Sequence, residues 1–408
     1  MSQKSESVPK RRFKEFENAG DWEQRELGEI VEFYSGLTYS PDNIIPIGGT
    51  FVLRSSNVKD GELINADNVY VDSSFVNSSN VQIGDIVVVV RNGSRNLIGK
   101  HAQVKNYMDN TVIGAFMTGI RAKEPNYINA LLNTQQFKIE INKNLGATIN
   151  QITTGAFKKM QFSITPNIEE QHEIGSFFDK LDNCIALHQR KLDKLNNIKQ
   201  SYLYQMFPNN GKKVPKLRFA GFNGDWKQHK LGEISDSYSG GTPSVSKQSF
   251  YGGNIPFIRS SEINSNGTEL YLTDEGINRS SAKLVNKGDI LYALYGATSG
   301  EVGISQITGA INQAILAIKP KKDYDSFFIM LWLRRQKSSI ISKYLQGGQG
   351  NLSGAIVKDL TLLAPIDYKE QQKIGQFFKQ LDETIEVQEQ ELEKLKNLKE
   401  AYLNEMFV

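Results

Sequence analysis

EQHEIGSFFDKLDNCIALHQRKLDKLNNIKQSYLYQMF (170–207) and EQQKIGQFFKQLDETIEVQEQELEKLKNLKEAYLNEMF (370–407) are one segment written twice, 200 residues apart, with 18 identities in 38 positions. Apolar side chains recur at Ile174, Phe178, Leu181, Ile185, Leu192 and Leu195, and again at Ile374, Phe378, Leu381, Ile385, Leu392 and Leu395. The spacing alternates four and three, which is a heptad seam. Each segment follows a proline, Pro166 or Pro365, and contains none itself, so each reads as one long helix. At 1.5 Å per residue such a helix is a rod of roughly 55 Å.

One polar residue interrupts each seam near its middle, His188 in the first and Gln388 in the second. An antiparallel pairing suits a chain whose halves are related by an approximate two-fold axis. One register consistent with the seam sets Phe178 against Leu395, Leu181 against Leu392 and Ile185 against Gln388, with the mirror contacts in the other half. The polar midpoints then mark the centre of the rod and help fix the register.

Working outward, DWEQRELGEI (21–30) returns as DWKQHKLGEI (225–234), 204 residues on. The repeat is too long for a solenoid, so the chain is a tandem of whole domains. The stretches between the anchors match only in patches and read as mixed, strand-rich inserts. Strand-like runs occupy 49–58 and 81–90, then 254–263 and 285–294; helices are expected over 126–144 and 323–345. The expected fold class is therefore α+β, with two pseudo-symmetric mixed α/β domains and two long helices forming an antiparallel coiled coil. The boundaries read as a flexible basic arm (1–20), a first domain (21–166), a helical spacer (167–207), a linker (208–224), a second domain (225–365) and a second helical spacer (366–408).

Composition excludes more than it selects. Cys184 is the only cysteine, and the four histidines lack ligand spacing, so no metal site is expected. No apolar run is long enough to cross a bilayer, and a cytoplasmic protein is the natural reading. A net charge of +3 neither demands nor excludes nucleic acid. No phosphate-binding GxxxxGK[ST] loop, methyl-donor GxGxxG turn or nucleophile–base set is present, and Asp289 and Asp359 lack the lysine arrangement of a nuclease. The chain reads as a reader and scaffold, not an enzyme.

Side chains suited to bases and phosphates gather in glycine-rich loops. In the first insert these are Tyr39, Arg54, Arg91, Asn92, Ser94, Arg95 and Lys100, with Asn150 and Gln151 after a second loop. In the second they are Thr242, Lys247, Arg259, Tyr295, Thr298, Gln313, Gln346, Gln349 and Asn351. Amide side chains match adenine, arginine matches guanine, and glycine admits a phosphate close to the backbone.

The segments YSGGTPSVSKQSFYGGNIPFIRSSEI (238–263), KGDILYALYGATSGEVGI (287–304), INQAILAIKP (311–320) and NLSGAIVKDLTLLAPIDYKEQQKIGQFFKQLDE (351–383) resemble the specificity (S, HsdS) subunit of type I restriction–modification systems, and the resemblance runs over essentially the whole chain. The first insert departs from it, with YSGLTYS (34–40) where the family favours Gly-Gly-Thr-Pro-Ser. The resemblance implies two target recognition domains, each reading half of a bipartite double-stranded DNA target, with the helices setting the unread gap. It also implies two methyltransferase (M) subunits and two motor-nuclease (R) subunits as partners. S-adenosylmethionine, ATP and Mg are then expected on those partners and no cofactor on this chain. The alternatives are a methyltransferase or nuclease acting alone, and a coiled-coil scaffold for two peptide-binding domains.

Overall fold

The structure is a computed structural model and describes residues 8–145, 150–209, 211–344 and 351–408. The chain forms two compact units: residues 1–190 with 390–408, and residues 191–389. The long helices span Ile168–Gln205 and Tyr368–Met406, so the beginning of one and the end of the other belong to each unit.

In the first unit a four-stranded antiparallel sheet runs Val31–Ser35, Met117–Ala122, Ile86–Val89, His101–Gln103. Ile86–Val89 is wholly buried, as a run of β-branched residues lets a strand be when both its faces are covered. The second unit repeats this sheet with Ser235–Ser239, Ile315–Pro320, Ile290–Ala293 and Val302–Ile304. The outer sheets share three strands: Thr50–Leu53 lies parallel to Thr111–Ile113 and antiparallel to Val69–Val71, as Tyr251–Ile258 does to Gly309–Ile311 and Tyr271–Leu272. They differ in the fourth, Ile44–Ile45 beside Val69–Val71 in the first unit and Lys283–Val285 beside Gly309–Ile311 in the second. The inner sheet is thus common to both units, while the outer one keeps its core and differs at its edge.

The helix expected over 126–144 is two, Pro125–Leu131 and Gln135–Asn144. Thr134 separates them: its backbone is extended, and its hydroxyl accepts from Phe137 N while donating to the Leu131 carbonyl. In the second unit Ser326–Tyr344 is a single helix.

Both long helices start on an amide or carboxylate cap. Asn167 Oδ1 accepts from the backbone of Glu169 and Glu170, and Asp367 Oδ1 from Lys369. Gly175 lies so close to the Tyr127 backbone that a Cβ there would sit 2.6 Å from its nitrogen. Within each unit the helix segments run antiparallel. In the first, Phe177 meets Tyr402 edge-on at 5.1 Å and Asp182 pairs with Lys399; in the second, Tyr202 meets Phe377 at 5.1 Å and Lys199 pairs with Asp382. These contacts correct the expected register, which set Phe178 against Leu395, by one heptad. A heptad shift leaves every apolar residue on the seam, so the apolar pattern cannot choose between the two. Aspartate–lysine pairs and crossed aromatics make the choice.

All of the expected seam residues are buried or half-buried: Ile174, Phe178, Leu181, Ile185, His188, Leu192 and Leu195 on the first helix, and Ile374, Phe378, Leu381, Ile385, Gln388, Leu392 and Leu395 on the second. Gln388 is buried, and His188 Nδ1 stands 3.7 Å from Glu391.

The basic arm expected to be flexible over 1–20 is docked from residue 8 onward. Arg12 forms two hydrogen bonds, 2.5 and 2.7 Å, to the buried Glu170 carboxylate at the first turn of the long helix, and Phe13 packs edge-on to Phe177. The linker is docked likewise through Arg218 on Glu370 and Phe219 against Phe377. Each helix also ends in an aromatic socket. Phe407 packs against Trp22, Tyr127 and Phe178; Phe207 packs against Trp226 and stacks on Phe328.

Candidate nucleic-acid interface

Strand ends converge at one edge of each inner sheet. In the first unit Leu37 N donates to the Ile113 carbonyl, Gly114 N to Leu53, and both Val90 N and Arg91 N to Phe116. The second unit is assembled the same way, with Gly241 N donating to Ile311, Asn312 N to Ile258 and Leu294 N to Ala314. These approaches require glycine at one position in both units. A Cβ on Gly36 would lie 2.0 Å from the Gly114 carbonyl oxygen, and one on Gly240 1.9 Å from that of Ile311. The first unit therefore keeps one glycine of the pair and replaces the other with Leu37, whose side chain fills a small core with Val52, Val71 and Val112.

Two loops read separately in the sequence meet here. Arg91 forms an isolated antiparallel bridge with Gln151, Asn92 N donates to the Asn150 carbonyl at 3.2 Å, and Asn150 Nδ2 donates to Gly93 at 3.0 Å. Asn92 also caps Ser94 N and donates to Ser55 Oγ, tying the loop to the strand end that carries Arg54. The second unit has the matching bridge, Tyr295 with Asn351. Thr242 and Gln313 are joined by a side-chain hydrogen bond, and Thr298 sits half-buried in the turn after Tyr295. Arg54, Arg91, Asn92, Ser94, Asn150 and Gln151 thus come together, as do Thr242, Gln313, Tyr295 and Asn351. Gln346 and Gln349 lie outside the described residues.

Three expectations change in detail. Tyr39 is half-buried and packs on the Leu37 cluster. Lys247 lies over the Phe250 ring at 5.1 Å. Arg259 is already neutralised: it binds Glu262 at 2.7 Å and Glu269 at 2.6 Å. Burial raises the Glu262 carboxyl, but Arg259, two backbone N–H groups and Thr268 outweigh it and hold the group down at about 2. The first site is different. Among the described residues Arg91, Arg95 and Lys100 have no carboxylate within ion-pair distance, and Arg95 and Lys100 line a cleft with Asp60, Asn96, Asn133 and Lys138. One reading site is cationic; the other relies on amides and hydroxyls.

Asp289 pairs with Lys319 at 3.1 Å and Asp359 with Lys230 at 2.5 Å. Each is a single pair, Asp289 also accepting from Asn286 N in a turn that ends at Gly288, where φ is +97°. Sequence reading missed Phe116, an exposed ring under the Arg91 guanidinium, 4.9 Å away. Its signal was an apolar residue standing where the aligned second insert has Ala314.

At the floor of the cleft His101 is buried, its Nδ1 3.0 Å from the Gly99 carbonyl. Burial pushes its pKa down, outweighing that hydrogen bond; Lys399 lowers it further and Asp182 opposes. With the folded value below the unfolded one of about 6.5, the unfolded chain takes up the proton first as pH falls. Wild type is therefore expected to lose more stability than His101→Gln between pH 7.5 and 5.5 in thermal melts; equal losses would contradict this.

Known proteins with this construction point the same way. The sequence matches the Type I restriction modification DNA specificity domain twice, over residues 19–197 and 223–397. It is 24% identical over 387 residues to the type I restriction enzyme StySPI specificity subunit of Salmonella potsdam, covering 86% of this chain and 79% of that one. It is 23% identical over 400 residues to the EcoKI specificity subunit of Escherichia coli K12, covering 91% and 83%. The crystal structure of the S subunit of the M. genitalium type I restriction-modification system superposes with a TM-score of 0.69 at 15% identity, covering 98% of this chain and 99% of that one. No helix of the described residues is long and apolar enough to cross a membrane. With two copies of the domain over most of its length, the chain belongs to the type I restriction–modification DNA specificity family, as a non-catalytic specificity subunit with two recognition domains.

Proposed function

We propose that each recognition domain reads one half of a bipartite double-stranded DNA target, the first through the cluster at Arg91 and the second through the cluster at Tyr295. The observation that carries this reading is a repeated frame with unlike sheet edges and unlike loop chemistry: Arg91, Arg95 and Lys100 in the first unit, without a carboxylate partner among the described residues, and neutralised Arg259 in the second. Phosphate contacts by Arg91, Arg95 and Lys100 would position the duplex, and amide side chains would select bases. The chain scaffolds two methyltransferase and two motor-nuclease subunits in the cytoplasm, and the two-fold character of its frame suits paired partners. S-adenosylmethionine, ATP and Mg belong to those subunits.

Footprinting of the complex with the methyltransferase subunits is expected to protect two short segments flanking an unprotected gap. A single continuous footprint, or none, would overturn the proposal. The long helices set the gap. Adding seven residues to each, two turns, lengthens them by about 10 Å and keeps the seam in phase, so the gap grows by about three base pairs. Both half-sites stay the same. Sequencing of methylated adenines in cells reads half-sites and gap together; an unchanged gap would refute the role of the helices.

A further inference from the structure

We infer that Phe116 reads a thymine methyl group in the first half-site; this rests on the DNA-reading assignment just proposed. The ring is 53% exposed although it stands on a turn fixed by the fold. Its own carbonyl accepts from Val90 N at 3.0 Å and Arg91 N at 3.2 Å, which pins the residue against the bridge between Arg91 and Gln151. The fold itself does not need the ring, because Ala314 performs the same backbone role in the second unit, accepting from Leu294 N at 2.8 Å. An apolar ring kept in solvent beside the Arg91 guanidinium has a surface to offer and no core to fill.

The arrangement around the ring decides which contact it makes. The Arg91 guanidinium covers one face at 4.9 Å. Seating this ring between base pairs would bring a base against the face that Arg91 covers and cost that contact. Its rim and open face remain for a groove floor, where the apolar feature of a base pair is the thymine C5-methyl. Arg91 keeps its N–H donors for neighbouring polar atoms, so the pair offers an apolar contact and a cation side by side. In the second unit Tyr295 and Ala314 occupy these two places, so no ring stands where Phe116 does.

The test uses the chain with its methyltransferase subunits. Methylated-adenine sequencing of wild type and Phe116→Ala is expected to show one half-site losing its preference for thymine at one position, with the other half-site and the gap unchanged. The unchanged half-site shows that the variant is folded, and Phe116→Leu should retain part of the preference. Binding to duplexes with uracil replacing each thymine of that half-site in turn should fall roughly fivefold at one position for wild type and not for Phe116→Ala, as expected for one methyl group's burial. An unaltered half-site in Phe116→Ala, or indifference of wild type to every uracil, overturns the inference. So does 2-aminopurine fluorescence showing an unstacked step. A wild type with no bipartite target would instead overturn the underlying assignment and this contact with it.

Discussion

Arg12→Ala is expected to destabilise the first unit by about 3–5 kcal/mol, because it strands a fully buried carboxylate. Glu170 has no exposed side-chain surface, and Arg12 only 7%. Two charge-assisted bonds join them, Thr165 donates to the same carboxylate at 2.5 Å, and the remaining guanidinium donors reach the Ala19 and Gly20 carbonyls. For a unit of this size the loss corresponds to roughly 10 °C in its thermal transition. Glu170→Ala does comparable damage from the other side, whereas replacing both residues by apolar ones of similar volume recovers most of the stability, since desolvating the pair costs nearly what its attraction returns. A double-mutant cycle followed by calorimetry measures this. A single-variant loss below about 1 kcal/mol would mean that water reaches the pair.

The second large effect belongs to Phe407. Phe407→Ala is expected to cost about 3–5 kcal/mol, the usual range for emptying an aromatic site in a packed core. Trp22, Tyr127 and Phe178 surround the ring at centroid distances of 5.5–6.0 Å. Phe207→Ala should do the same to the second unit, where the ring is wholly buried between Trp226 and Phe328. Chemical denaturation of each variant, with near-ultraviolet circular dichroism reporting on the tryptophans, distinguishes the damaged unit from the intact one. Losses under 1 kcal/mol in both would show that the sockets relax around the hole.

What could be read from the letters alone follows a physical pattern. Heptads, strand alternation and the Asp-Trp and Glu-Gln repeats are local periodic signals, and the elements they predict are present. The register of the helices was not legible, because an apolar seam is blind to a shift of seven; Asp182, Lys199, Asp382 and Lys399 carried that information. The docked arm was misread because composition weighs charge and not partners. Arg12-Phe13 recurs as Arg218-Phe219, a repeat that could have shown both arginines to be part of the frame. The reading sites were visible as residue types but not as assemblies. Nothing in the spacing of Arg91 and Gln151 says that they share a β-bridge, and Arg259 looked free because its partners, Glu262 and Glu269, lie beyond the loop that drew attention to it.

The division of each unit between distant stretches of the chain has a consequence for its synthesis. Residues 1–190 leave the ribosome first, yet the residues that complete their core, 390–408, leave last. At about 5–20 residues per second the nascent chain spends roughly 10–40 s with the pocket of Trp22, Tyr127 and Phe178 unfilled. The half made first matures last, and over that interval the unfilled pocket is a binding site for chaperones.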